Sequence, residues 1–171
     1  MRNTIFEQGG GKIMKLISVG DTAPDFSLED NLGQFVKLSE YRGKNILLSW
    51  HPLAWTPVCT DQMRELENKW NTFQELNTVP FGISVDAQPS KKAWATALAL
   101  ENLKLLSDFW PHGKVTQDYG LFVEKEGISK RANIIIDETG IVRWVKVYQP
   151  AQLPDINEII QTLSGLQIAV K

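Results

Sequence analysis

Residues 46–60 read Ile46-Leu47-Leu48-Ser49-Trp50-His51-Pro52-Leu53-Ala54-Trp55-Thr56-Pro57-Val58-Cys59-Thr60. The first five form a short, continuous apolar run, the pattern of a strand buried on both faces. Thr56 suits a helix N-cap, and Pro57 suits the first helical position, where a missing N–H costs nothing. A helix is therefore expected from here to about Leu76. A central strand running into a helix marks an open α/β sheet, and such sheets put their sites at the carboxyl ends of strands. Cys59 falls there, in the first helical turn, where free N–H groups and the positive dipole end favour a thiolate. The plain alternative is a small buried hydrophobe, the common fate of a lone intracellular cysteine. The position after Thr-Pro at a strand-to-helix turn tips the balance toward a reactive thiol.

Working outward, 20–38 alternates apolar and polar residues around Asp30-Asn31-Leu32-Gly33 and reads as a hairpin. Residues 79–85 make a second central strand, and 89–100 have helical composition after a Pro-Ser start. Residues 131–136 and 141–147 flank the four-residue turn Asp137-Glu138-Thr139-Gly140, an antiparallel hairpin. A last helix is expected over 153–163, with Gly165 capping its end. The sum is an α/β domain: a central mixed sheet with helices on both faces and an N-terminal β-hairpin. Residues 1–13, with Gly9-Gly10-Gly11 and no periodicity, are expected to be a flexible extension of a single domain spanning 14–171. The glycine run is no phosphate loop, because Lys12 is followed by Ile13 and not by Ser or Thr.

Composition narrows the function. A chain of 171 residues, 43% hydrophobic and 22% charged, is a soluble globular domain of ordinary size. Eighteen basic against 20 acidic residues leave a net charge of −2, which argues against nucleic acid. No apolar run approaches the roughly 20 residues of a membrane helix. The start lacks the apolar stretch of a secretory signal, so a cytoplasmic protein is expected. One cysteine excludes a disulfide within the chain. His51 and His112 with a single thiolate make a poor metal site, and neither a metal nor another cofactor is expected.

Pro52-x-x-x-Thr56-x-x-Cys59 resembles the active-site signature of the peroxiredoxins, and 51–60 as a whole resembles their one-cysteine members. The likeness extends outward through Gly20–Phe26, Gly82–Asp86, Leu105–Asp108 with Tyr119-Gly120, and Arg131 just before the apolar 134–136 run. Together these segments cover about 20–163. The resemblance implies a thioredoxin-like fold and an antioxidant activity, the reduction of a hydroperoxide by a cysteine that becomes a sulfenic acid. It also implies roles for individual residues. Cys59 is the nucleophile, and the Thr56 hydroxyl bonds the sulfur or the incoming oxygen. Arg131 fixes the anion and the oxygens, and Pro52 shields the thiolate. Gln62 stands where many members have Glu, and is expected to keep the supporting role.

Each role has a duller counterpart. Thr56 can serve as the N-cap, Pro52 can simply end the strand, and Arg131 beside Lys130 can be a solvated charge. His51 either relays a proton to the leaving hydroxide or packs beside Trp50 and Trp55. Ionisation alone is a weak source of rate. For any thiol, lowering the pKa from about 8.5 to about 6 yields roughly 30-fold more thiolate at neutral pH, while nucleophilicity drops roughly 10- to 20-fold. The larger contribution must come from donors preorganised around the transition state. With no second cysteine, the sulfenic acid awaits an external thiol: a thioredoxin, a glutaredoxin-like protein or a small thiol. The alternative function is a thioredoxin-fold redox sensor that uses Cys59 for mixed disulfides with a partner. Among six tryptophans, Trp55 is expected at a homodimer contact, while Trp50 is equally a core or pocket-wall residue or part of that contact.

Overall fold

The computed structural model describes residues 15–169, so the extension expected at 1–13 lies outside the described residues. Seven strands form one sheet: Ser27–Asp30 (β1), Phe35–Lys37 (β2), Asn45–Trp50 (β3), Thr78–Ser84 (β4), Lys104–Ser107 (β5), Arg131–Ile136 (β8) and Val142–Tyr148 (β9). Their order is β2-β1-β5-β4-β3-β8-β9. The centre, β5-β4-β3, is parallel, while β1 and β8 join its two sides antiparallel. Two short strands, Phe122–Val123 (β6) and Ile128–Ser129 (β7), make a separate ribbon. The hairpins expected around 30–33 and 137–140 both form, the second with an irregularity at Ile135/Ile136.

The helices are Pro57–Asn68 (α1), Trp70–Glu75 (α2), Gln88–Ala97 (α3), Lys114–Asp118 (α4) and Ile156–Ala169 (α5). Alternation along β3 and β8 sorts two cores onto the two faces of the sheet. Ile46, Leu48 and Trp50 pack with Ile134, Ile136, Val115 and Tyr119 on one side. Leu47, Leu105 and Ile135 pack with Cys59, Met63, Trp94 and Leu163 on the other. Helix α4 thus serves the first face and α1, α2, α3 and α5 the second.

Two expectations need correction. The helix read as continuous from 57 to 76 breaks at Lys69, whose φ of −100° and ψ of 12° leave helical geometry. Leu66 before the break and Phe73 after it both enter the second core. Gly165 does not cap the last helix but lies inside it. Pro154 bars Leu153 from helical geometry, and Asp155 instead opens α5 by accepting the Asn157 N–H at 2.9 Å. Leu166 packs on the core beyond the glycine and carries the helix to Ala169.

Candidate active site

The site is assembled by strand register. Trp50 pairs with Ala132 and Ser49 with Asn133, so the chain leaving β3 lies beside Arg131, the first residue of β8. Side chains two apart share a face, which puts Arg131 with Asn133 and Ile135, on the α1 side of the sheet. Cys59, third residue of α1, is fully buried there. Arg131, 72 positions away in sequence, brings Nη1 to 3.4 Å from its sulfur. The first intrahelical bond runs from Thr60 N–H to the Thr56 carbonyl, which leaves the Val58 and Cys59 N–H groups without partners in the helix.

Arg131 is itself buried, so the reading of a solvated charge does not hold. Its Nη1 also donates to Gln62 Oε1, and Nε and Nη2 donate to the Pro150 carbonyl at 3.3 and 2.9 Å. Gln62, on the same face of α1 as Cys59, donates from Nε2 to Ser49 Oγ at 2.7 Å and to the Trp50 carbonyl at 3.2 Å. Sulfur, guanidinium and amide are thereby tied to β3, α1, β8 and the segment after β9. An amide suits this position because it accepts from the arginine and donates to the strand at once, which a carboxylate cannot do.

Thr56 occupies the N-cap position with extended backbone, but its hydroxyl does not cap. It donates to the Leu53 carbonyl at 2.9 Å. No hydrogen bond joins it to the sulfur; with its proton committed to Leu53, the hydroxyl offers lone pairs to an O–H donor. Pro52 is half-buried two residues past β3 and starts the turn toward Thr56. In that turn Trp55 has φ +69°, unusual for a residue with a side chain, and its Nε1 donates to Ser90 Oγ at 3.1 Å. The Ala54 N–H donates to Asp86 Oδ2 at 2.9 Å. Both contacts fasten the loop to the start of α3.

His51 packs against Trp94, the ring that Trp55 also approaches. Two residues on from Ser49, it is fully buried with its ring 5.3 Å from that of Trp94, and neither nitrogen has a hydrogen-bond partner. Burial, then the charges of Lys91 and Arg131, hold it well below the usual imidazole range, so the ring is neutral. Gly82 on β4 makes room for Met63 and Leu105: a Cβ there would stand 2.5 Å from Met63 Sδ and 2.8 Å from Leu105 Cδ2, while His51 Cε1 at 3.5 Å would be in ordinary contact. Trp50 lies in the core and donates to Thr116 Oγ1, which in turn donates to Asp108 Oδ2. His112 lies at the surface against the Gly127 carbonyl.

Sequence reasoning passes over Lys91. It is fully buried and its Nζ has no hydrogen-bond partner. The signal was spacing: Lys91, Trp94 and Ala95 share one face of α3, the buried one, whereas Lys92 points to solvent. A cavity of about 890 Å3 lies elsewhere, near Asn45 at the opposite end of β3, lined also by Leu76, Asp137, Arg143 and Leu166.

Comparison with known proteins shows the family. Residues 19–145 match the model of the AhpC/TSA family. Alkyl hydroperoxide reductase E of Mycobacterium tuberculosis is 42% identical over 141 residues, covering 82% of this chain and 92% of that protein. A peroxiredoxin of Thermoplasma volcanium is 34% identical over 157 residues, covering 88% and 75%. The crystal structure of reduced Plasmodium vivax 2-Cys peroxiredoxin superposes with a TM-score of 0.79 at 31% identity, covering 88% and 82%. The chain belongs to the AhpC/TSA family, with the thioredoxin-like fold of a peroxiredoxin. Its activity is that of a thiol peroxidase, and its single cysteine makes it one of the one-cysteine type.

Proposed function

We propose that Cys59 is the peroxidatic thiolate and that Arg131, Thr56 and the first-turn amides of α1 form its transition-state site. The observation that carries this reading is the Arg131 Nη1 to Cys59 Sγ contact of 3.4 Å in a buried setting. The sulfur attacks the terminal oxygen of the hydroperoxide, an S–O bond forms as the O–O bond breaks, and the leaving oxygen departs as water or an alcohol after gaining a proton. Charge spreads from sulfur over both oxygens during the attack. A guanidinium and fixed N–H groups stabilise that spread without reorganising. Thr56, its own proton given to Leu53, accepts from the hydroperoxide O–H and orients it. Pro52 keeps water from the sulfur, and Gln62 acts by holding Arg131. Because Cys59 has no exposed surface, the substrate reaches it when the 51–58 segment shifts.

The substrates are hydrogen peroxide, organic hydroperoxides or both; the alkyl hydroperoxide reductase among the relatives supports the organic class. The reductant is an external thiol, either thioredoxin, a glutaredoxin-like protein or a small thiol. The protein works in the cytoplasm as a homodimer. What supports a dimer is a group of aromatics exposed at the carboxyl end of the parallel strands: Trp55 at 54%, Phe109 at 50% and Trp110 at 83%. A monomer at every concentration in sedimentation would remove the dimer.

The test of the enzymatic reading is peroxide consumption by the reduced protein. One equivalent of peroxide should disappear per Cys59 and add one oxygen to its mass; Cys59→Ser should consume none. Without thiol, graded peroxide should carry Cys59 on to the sulfinic acid, and the physiological reductant should hold it reduced. Undiminished activity in Cys59→Ser would sink the assignment.

A further inference from the structure

Two of the three guanidine nitrogens of Arg131, Nε at 3.3 Å and Nη2 at 2.9 Å, donate to a single acceptor, the Pro150 carbonyl, while Nη1 faces Cys59 and Gln62. Pro150 is exposed, whereas the arginine it meets is buried. A buried cation is thus held along one edge by backbone at the surface. The carbonyl stands there because Tyr148, two residues earlier, is the β9 partner of Arg131. Tyr148 is buried and its hydroxyl accepts from Asn133 Nδ2 at 3.4 Å, and Pro154 is buried on the far side of the loop. Between these anchors, residues 149–153 are all exposed.

The exposed stretch opens with a β-turn. Gln152 N–H donates to the Gln149 carbonyl at 3.0 Å, which closes it, and Gln149 N–H donates back to Gln152 Oε1 at 3.4 Å. Pro150 and Ala151 are the central residues. Proline in that first central position suits type I and type II turns alike, because its φ is the same in both. The two types differ by a rotation of the central peptide unit through roughly 180°, which exchanges the direction of the Pro150 carbonyl with that of the Ala151 N–H. Type II needs a φ of about +80° at the second central residue, a value that a Cβ opposes. Among the described residues, the non-glycine positions with positive φ are Trp55, Asn77 and Ala99, so Ala151 holds the type I form. In the type II form an N–H would face the guanidinium, donor against donor.

We propose that the Gln149–Gln152 turn positions the active-site arginine: the Pro150 carbonyl sets the plane of the Arg131 guanidinium toward Cys59, and the Ala151 Cβ keeps that carbonyl turned inward. The inference rests on the peroxidase reading, in which Arg131 steadies the two peroxide oxygens. Gln62 holds Nη1, the nitrogen that also faces the sulfur, and the turn holds the other two. An acceptor on each edge fixes a planar, multidentate group in rotation as well as in place. Pro150 and Ala151 are therefore positioning residues, acting on the reaction through Arg131.

The test removes one methyl group at the surface. Ala151→Gly takes away the Cβ and favours the type II form, whereas Ala151→Ser keeps a Cβ and serves as the conservative control. Side-chain NMR of the reduced protein should show an Arg131 Nε–H cross-peak, absent in Arg131→Met, that exchanges slowly with water. In Ala151→Gly its exchange should quicken about tenfold. The same variant should lower the second-order rate of Cys59 oxidation by peroxide about tenfold, and leave alkylation by iodoacetamide, which needs no clamp on two oxygens, within about twofold of wild type. A loss of structure moves both rates; a loss of position moves only the first. Ala151→Ser should match the wild type throughout. Wild-type exchange or a wild-type peroxide rate in Ala151→Gly overturns the proposal, as does an equal fall of both rates or the same fall in Ala151→Ser. If wild-type Cys59 gains no oxygen from peroxide, the peroxidase reading fails, and the Nε–H exchange, which needs no turnover, still decides whether the turn holds the arginine.

Discussion

Arg131 and Lys91 are both buried basic side chains, and they are held in opposite ways. Arg131 is bonded on all sides, to sulfur, to Gln62 and to the Pro150 carbonyl. Lys91 bonds to nothing. A guanidinium is planar, multidentate and always charged, so it can be locked in place by fixed acceptors and supply a constant field. An ammonium buried without partners is instead pushed toward its neutral form. The contrast separates a permanent electrostatic element from a variable one, and substitutions can test each side of it.

The largest effect is expected at the bonded side. Arg131→Met should lower kcat/KM for hydroperoxide by about 10²–10³, the scale of losing a preorganised donor. It should also destabilise the protein by about 1–3 kcal/mol, because Gln62 Oε1 and the Pro150 carbonyl lose their donor. Steady-state kinetics with chemical denaturation would measure both; an Arg131→Met enzyme with wild-type kcat/KM would break the comparison on this side. Gln62→Leu comes next. It leaves Arg131 and Ser49 short of partners, and should cost about 1–3 kcal/mol of stability while lowering kcat/KM less than Arg131→Met.

The variable side predicts a pH dependence of stability. The unfolded chain binds the Lys91 proton up to its ordinary value near 10, whereas the folded protein releases it at about 7. Between those limits the unfolded state holds more protons, so stability rises with pH through that window; below it both states are protonated and the penalty is complete. His51, lowered well below its ordinary value, adds a loss of stability as the pH falls under about 6.5. Denaturation of wild type and Lys91→Met in parallel should show the two differing most at pH 6–7 and converging by about pH 10. A constant difference across that range would mean that Lys91 does not titrate.

The smallest expected effect is a control away from the sulfur. In the turn between β8 and β9, burial raises Asp137, but hydrogen bonds from Thr139, Ile141 and Arg143 outweigh it and hold the carboxyl at about 2. Its contribution is present above about pH 4 and lost as the pH falls through about 2. Asp137→Ala should therefore lower the melting temperature at pH 7 by a few degrees and leave peroxide turnover unchanged, checked by calorimetry and the same kinetic assay.

Much of this was legible one residue at a time. The apolar 46–50 run, the Thr56-Pro57 helix start and the turn at Asp137–Gly140 are local signals that the structure honours, and the motif around Cys59 pointed to the family. Where local signals erred, tertiary contacts explain it. Gly165 reads as a stop but lies within α5 because Leu163 and Leu166 pack on either side of it. Thr56 reads as a capping acceptor, yet its hydroxyl turns back to the Leu53 carbonyl. Lys91 passes unremarked within a Lys-Lys pair, and only its spacing to Trp94 signals the buried face.

What the sequence determines by itself is therefore the order of elements, the place of the cysteine at a helix start and the need for an external reductant, since each follows from neighbouring residues or from a count. What only the tertiary structure decides is which charges meet the sulfur. Arg131 reaches Cys59 because β8 pairs antiparallel with β3 in a register that ends beside α1, and Lys91 is buried because α3 packs with its Trp94 face inward. Burial then sets the chemistry. A lysine and a histidine that would be ordinary surface bases in water are, once buried without partners, pushed toward their neutral forms.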